Sequence, residues 1–171
     1  MSKKILKEIF SWIMVFVIAF GVATFINKFI IFKVIVPTGS MENTIMIDDK
    51  VETFHLSYLF KDPQRGDIIV FPFPDNEEED YIKRIIGLPG NTVEGIDGLV
   101  YINGEPLEEP YVRETLDSDF GPYVVPEDGY FMMGDNRNNS ADSRFWKNKF
   151  VARGKIKGKA IFKYPNLTWL Y

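Results

Sequence analysis

The sequence predicts a mostly β fold, an antiparallel sheet or barrel-like domain, carried on one N-terminal transmembrane helix. Two observations lead there. Residues 9–26 (IFSWIMVFVIAFGVATFI) hold no charged side chain and are long enough to cross a bilayer as a helix. Beyond them, short runs rich in branched and aromatic residues alternate with turn signals, the pattern of an antiparallel sheet. At 171 residues there is room for one anchor and one domain with its own core.

Lys3, Lys4 and Lys7 precede the apolar run, and Lys28 and Lys33 follow it. The expected topology is a cytoplasmic tail (1–8), an anchor (9–32) and an extracytoplasmic domain (33–171). A cleavable signal peptide is the rival, because Gly21 and Ala23 are small residues at a signal-like spacing. The apolar character, however, runs on through Phe29, Ile30, Ile31 and Phe32, where a cleaved signal would turn polar. A soluble buried helix fits poorly with an apolar surface all round.

The expected strands are 33–36, 50–54, 67–73, 81–86, 99–102, 129–133 and 154–164. Asp62-Pro63, Pro74-Asp75-Asn76, Leu88-Pro89-Gly90-Asn91 and Glu127-Asp128-Gly129 punctuate them. Asn103-Gly104 predicts a tight hairpin between 99–102 and 105–107. Residues 106–126 read as a loop-like insertion or small flap. Glu77, Glu78, Glu79 and Asp80 read as a solvated loop. Lys155, Lys157, Lys159 and Lys163 recur at even spacing, which puts them on one strand face, either solvated or drawn to anionic lipid. Trp146, Trp169 and Tyr171 are candidates for the core or the membrane interface.

Composition removes several chemistries. There is no cysteine, so thiol nucleophiles, disulfides and thiolate metal sites are excluded. One histidine and no HExxH argue against catalytic zinc. A net charge of −4 argues against nucleic acid as a partner.

A serine nucleophile remains. Ser40 stands in VPTGSMENTI (36–45), with Gly39 permitting a tight backbone and Pro37 stiffening its entry. The plainer reading is a strand-to-turn connection with a capping serine. There is neither a GxSxG elbow, since 38–42 read TGSME, nor an SxxK, since Asn43 is three residues on. A serine needs a base to take its proton. His55 lies in a strand-like run and reads as structural, which leaves Lys83 in YIKRIIGLPGN (81–91). Strand alternation puts Lys83 on one face with Tyr81 and Ile85, and Arg84 on the other with Ile82 and Ile86. An amine among apolar neighbours loses hydration and its pKa falls. Acting near neutral pH requires a fall of roughly three units, about 4 kcal/mol. The plainer reading is an exposed strand lysine.

A third segment, FMMGDNRNNSADSR (131–144), is dense in groups able to cross-link: Asp135, Asn136, Arg137, Asp142 and Arg144. Ser140 offers a second hydroxyl near the base. RGDIIVF (65–71) is most simply a turn and a buried strand; its Arg-Gly-Asp tripeptide is common by chance as an adhesion motif.

Taken in order, the anchor, PTGSMENTI, RGDIIVF, YIKRIIGLPGN and GDNRNNSADSR resemble the bacterial type I signal peptidase family in the compact form of Gram-positive bacteria. The resemblance covers nearly the whole chain. It implies a membrane-bound serine endopeptidase that removes signal peptides from exported preproteins after small residues. It implies Ser40 as nucleophile, Lys83 as general base, and the Ser40 N–H with the Thr38 hydroxyl as oxyanion hole. Ser140 would orient the Lys83 amine, with Asp142 and Arg144 supporting the site. Threonine at 38, where many members carry serine, keeps the hydroxyl; lysine at 83 points to the bacterial branch. No cofactor or metal is implied. The partners it implies are preproteins, bound as an added strand, and membrane lipid. A self-cleaving Ser-Lys repressor-type protein is a rival that the anchor argues against. A membrane-tethered inactive homologue acting as a scaffold is the other.

Overall fold

A computed structural model of the chain describes residues 3–170. Tyr171, one of the aromatic candidates, lies outside them. Helix α1 spans Lys3–Phe29, and the apolar stretch from Lys4 to Ile26 has no part buried in the protein. Those 23 residues rise ~35 Å, enough to cross a hydrocarbon core. An apolar helix with no part of this chain packed on it is consistent with a membrane anchor. The helix ends three residues short of the anchor boundary expected at 32. Ile31 and Phe32 instead open the first strand, where pairing with the next strand satisfies their backbone and Phe32 packs on the core.

Among the described residues twelve strands follow: β1 (Ile31–Ile35), β2 (Lys50–Phe54), β3 (Ile68–Phe73), β4 (Asn76–Gly87), β5 (Thr92–Ile96), β6 (Leu99–Ile102), β7 (Glu105–Pro106), β8 (Phe120–Val124), β9 (Gly129–Met133), β10 (Phe150–Ala152), β11 (Gly158–Tyr164) and β12 (Thr168–Trp169). The larger sheet runs β1-β2-β11-β3-β4-β9-β10, with β12 on β11; the smaller runs β7-β6-β5-β8. Every pairing is antiparallel.

Three apolar clusters hold this together. Val36, Met41, Ile45, Val51 and Ile82 pack beneath the start of the larger sheet. Ile69, Phe71, Ile85, Met132 and Trp146 pack about its middle, with Trp146 edge-on to Phe71, Phe73 and Tyr81. Ile86, Val93, Val100 and Phe131 join the two sheets. Trp146 is therefore core, whereas Trp169 is exposed beside Phe162 on the edge strand β12.

Three sequence expectations need correction. The acidic run Glu77–Asp80 is the exposed arm of β4 rather than a loop, with Asp80 opposite Pro72 of β3 and ion pairs Lys155–Glu77 and Lys157–Asp80 holding it. Residues 106–126 are not all loop, since β8 pairs with β5. The lysine-bearing segment enters its strand only at Gly158, and a register shift between Ala160 and Phe162 breaks the even alternation. Lys159 and Lys163 are mostly covered and bonded to Asp67 and Asp49, so they form no free cationic face.

Candidate active site

The chain reverses sharply between β1 and β2. Gly39–Met41 form a single 3-10 turn, closed by the Glu42 N–H donating to Gly39 O at 3.0 Å. Met41 and Ile45 are fully buried below it and pin the turn to the core. Asn43 takes φ +87°, a left-handed conformation asparagine tolerates, and swings Thr44 back towards the sheet. Ser40 is thus fixed at the tip of the turn, only 7% exposed.

Lys83 arrives from β4. It is 4% exposed, and its Nζ donates to Ser40 Oγ at 2.7 Å and to Ile82 O at 3.1 Å. The Tyr81 ring lies 5.1 Å from Nζ, on the shared face that alternation requires. Burial depresses the Lys83 pKa from its usual 10.5 to about 8, against the opposing pull of the Asp142 and Asp135 carboxylates. Half of the amines are then neutral at about pH 8, within hydrogen-bond distance of a serine hydroxyl.

Register explains why the third segment meets this pair. β9 ends with Met133 opposite Arg84, so Gly134 comes level with Lys83. A Cβ on Gly134 would collide with Ser40 O and Ser140 Oγ, and only glycine lets the two backbones approach this closely. The Asn136 N–H donates to Ser40 O at 3.1 Å, and its side-chain amide donates to Gly39 O at 3.0 Å. Asp135 takes a fork from Arg84 at 2.8 and 2.6 Å and a bond from Thr44 Oγ1 at 2.5 Å. Asp142 accepts from Gly134 N at 3.0 Å and from Arg144 Nε and Nη2 at 2.8 Å each.

The structure therefore brings Ser40, Lys83, Asp142 and Arg144 into one buried cluster, and Ser140 lies against Gly134. The Ser140 Oγ is buried without a hydrogen-bond partner, so the implied bond to the Lys83 amine is not made. Thr38 caps the Ser40 turn without using its hydroxyl on the turn's N–H groups. His55 is remote, bonded through Nδ1 to Lys157 O at 2.5 Å. Sequence reasoning missed the partnership of Arg84 with Asp135 and the hold of Asn136 on the Ser40 turn. The signal available was strand alternation: Arg84 faces away from Lys83 and needs a buried anion of its own.

A cleft of about 440 Å³ opens on the pair, walled by Val34–Ser40 on one side and Glu79–Lys83 on the other. Each wall includes a free strand edge. β1 ends its sheet, and β4 meets β9 only from Arg84 onward.

The sequence profile of the family described as signal peptidase, peptidase S26 matches residues 9–165. The chain belongs to that family. Among S26 relatives, a probable signal peptidase I-2 of Synechocystis is 40% identical, over 86% of this chain and 67% of that protein. Signal peptidase I of Bacillus amyloliquefaciens is 39% identical over 95% of this chain and 90% of its own. A crystal structure of a signal peptidase I from Enterococcus faecalis is 40% identical, covers 58% of this chain and 97% of that chain, and has a TM-score of 0.48. Membership of the S26 signal peptidases makes the chain a serine peptidase, and the exposed apolar helix is consistent with membrane anchoring.

Proposed function

We propose that this protein removes signal peptides from exported preproteins, cleaving after small residues through an acyl-enzyme made by a Ser40–Lys83 dyad. The observation that carries the proposal is the 2.7 Å bond between a desolvated amine and a buried serine hydroxyl at the floor of a strand-edged cleft. Neutral Lys83 takes the Oγ proton as Ser40 attacks the scissile carbonyl carbon. The oxyanion is held by the Ser40 N–H and the Thr38 hydroxyl. The Lys83 ammonium then protonates the leaving amine, and the neutral amine later activates the water that hydrolyses the ester. Asp142 and Arg144 keep the loop beside the dyad rigid, and Ser140 is the nearby hydroxyl able to turn towards the amine.

The substrate lies extended between the β1 and β4 edges, adding a strand to one of them. β1 leads directly from the helix to Ser40, so a preprotein held in the same bilayer reaches the cleft without leaving it. The tail, residues 1–8, is cytoplasmic, and the catalytic domain lies outside the membrane. Contact with lipid is supported by Leu59 and Phe60, exposed just beyond His55, whose N–H donates to Ile30 O at 2.8 Å at the helix exit. An inactive scaffold would have no use for a desolvated lysine on a serine, which costs stability.

The test is gel processing of a secreted preprotein by the full chain in detergent. Ser40→Ala and Lys83→Ala abolish cleavage while the domain stays folded, and His55→Ala leaves it intact. Lys83→Arg is inactive as well, since a guanidinium keeps its proton and accepts none. Processing that persists in either alanine variant, or near-normal turnover by Lys83→Arg, removes the general-base role.

A further inference from the structure

We propose that Glu109 and Tyr111 act as a clamp that sets the position of Lys83 against the Ser40 loop, although neither reaches the substrate cleft. The inference rests on the Ser40–Lys83 reading.

Both residues lie between β7 and β8, in the flap-like segment that the catalytic motifs do not include. Glu109 forks onto Arg137, Oε2 to Nη1 and Oε1 to Nη2, each at 2.5 Å. Arg137 is buried and donates through Nε to Gly134 O at 3.1 Å, and its own carbonyl accepts from Arg144 Nη2 at 2.5 Å. Glu109 thereby neutralises the cation that organises the whole 134–144 loop. Tyr111 lays its ring 3.9 Å from the Arg84 guanidinium. Arg84 adjoins Lys83 in β4 and ties that strand to Asp135 and to Gly66 O. The Tyr111 hydroxyl donates to Glu109 Oε1 at 2.8 Å, closing the chain Arg84–Tyr111–Glu109–Arg137. Burial first and the Glu109 carboxylate second push the Tyr111 phenol above its usual pKa, so it stays a neutral donor. Pro110 between them fixes its own φ and holds Glu109 extended, so the two grips keep one spacing.

The consequence is geometric. Lys83 sits on one segment, and Gly134, which abuts Ser40, sits on another. The Glu-Pro-Tyr step takes hold of both through their arginines. A displacement of about 1 Å in a catalytic group costs roughly a hundredfold in rate. The groups facing Lys83 are Ser40 from the turn, Tyr81 from its own strand, and Asp142 and Asp135 from the loop. The clamp touches none of these except through the arginines. Loosening it lets water reach Lys83 and raises the apparent pKa of the reaction, where a purely structural stitch would move stability alone.

The test compares wild type, Glu109→Gln, Tyr111→Ala and Tyr111→Phe as full chains in detergent on one preprotein, with folding followed by Trp146 emission. Tyr111→Ala and Glu109→Gln lower kcat about tenfold or more with KM nearly unchanged, and their pH profiles shift upward. Tyr111→Phe, which keeps the ring on Arg84, recovers most of the rate. If Tyr111→Ala does not fold, Glu109→Gln against Tyr111→Phe makes the same comparison. Folded clamp variants with wild-type kcat and pH profile, or a loss confined to KM, overturn the clamp alone when Ser40→Ala and Lys83→Ala are inactive. Active dyad variants overturn the dyad and the clamp together.

Discussion

Lys83→Met separates the cost of the buried amine from its use. The side chain keeps its length but loses the charge. The fall of the Lys83 pKa from 10.5 to about 8 means that holding the ammonium in the fold costs about 3 kcal/mol. The sign follows from proton counting. Between about pH 8 and 10.5 the unfolded chain still binds the lysine proton and the folded one has released it, so wild-type stability rises with pH across that window. The penalty is complete below pH 8 and gone above 10.5. Methionine removes the penalty but forfeits the bonds to Ser40 Oγ and Ile82 O, worth about 1 kcal/mol each. The inactive variant is then about 1 kcal/mol more stable than wild type at pH 7 and about 2 kcal/mol less stable near pH 11. Denaturant unfolding of both full chains in nonionic detergent, read by the change in tryptophan emission as buried Trp146 is exposed, measures the difference at each pH. Other titrating groups are common to both proteins and cancel. A difference that stays flat from pH 7 to about 11 would refute the perturbed amine and the base role built on it.

Other expectations follow from the same geometry. Wild-type kcat/KM rises with pH through about 8, so the rate at pH 7 is about a tenth of its plateau; a profile flat across that range contradicts a Lys83 base. Gly134→Ala puts a methyl group into Ser40 O and Ser140 Oγ and should lose at least about a hundredfold in kcat, measured on the gel assay. Asp135→Ala takes the carboxylate fork away from the buried Arg84 guanidinium and costs about 3–5 kcal/mol in unfolding; a loss below ~1 kcal/mol shows that water reaches the pair.

How far the sequence could be read depended on how local each signal was. β2, β6 and β9 are short runs that carry branched or aromatic residues between turn signals, and they fall at the expected residues. Asn103-Gly104 forms the hairpin because both residues take positive φ, +53° and +83°. Asp97-Gly98 does the same at +51° and +83° between β5 and β6, a second hairpin signal that the expected strands do not use. β5 and β8 carry Gly95 and Gly121-Pro122, residues that weaken a strand pattern taken alone. Gly95 is required by the Phe120 ring packed where its Cβ would stand, a tertiary reason no window reveals. The acidic arm of β4 likewise owes its strand to β3 and to Lys155 and Lys157, overriding poor intrinsic propensity. At the site, Ser40 and Lys83 were legible because each lacked a plausible alternative partner. Arg84–Asp135 and Glu109–Arg137 were not: alternation marks Arg84 as needing a buried anion but not which one, and an ion pair across tens of residues leaves no local pattern for its partner.

In the proposed mechanism, the alternation of β4 lets one strand serve both chemistry and support. Lys83 turns towards the cleft and must be dry to lose its proton. Arg84 turns the other way and must be buried to sit against Asp135 and Tyr111. Two buried cations side by side are costly unless each is answered differently. Arg84 is answered by a full carboxylate fork, which fixes the strand. Lys83 is given a neutral hydroxyl at 2.7 Å, with the Asp142 and Asp135 charges already engaged by arginines. A carboxylate bonded directly to Lys83 would stabilise the ammonium and raise its pKa, leaving no base near neutral pH. The arginine forks thus do two jobs. They immobilise the loop, and they keep its carboxylates turned away from the amine.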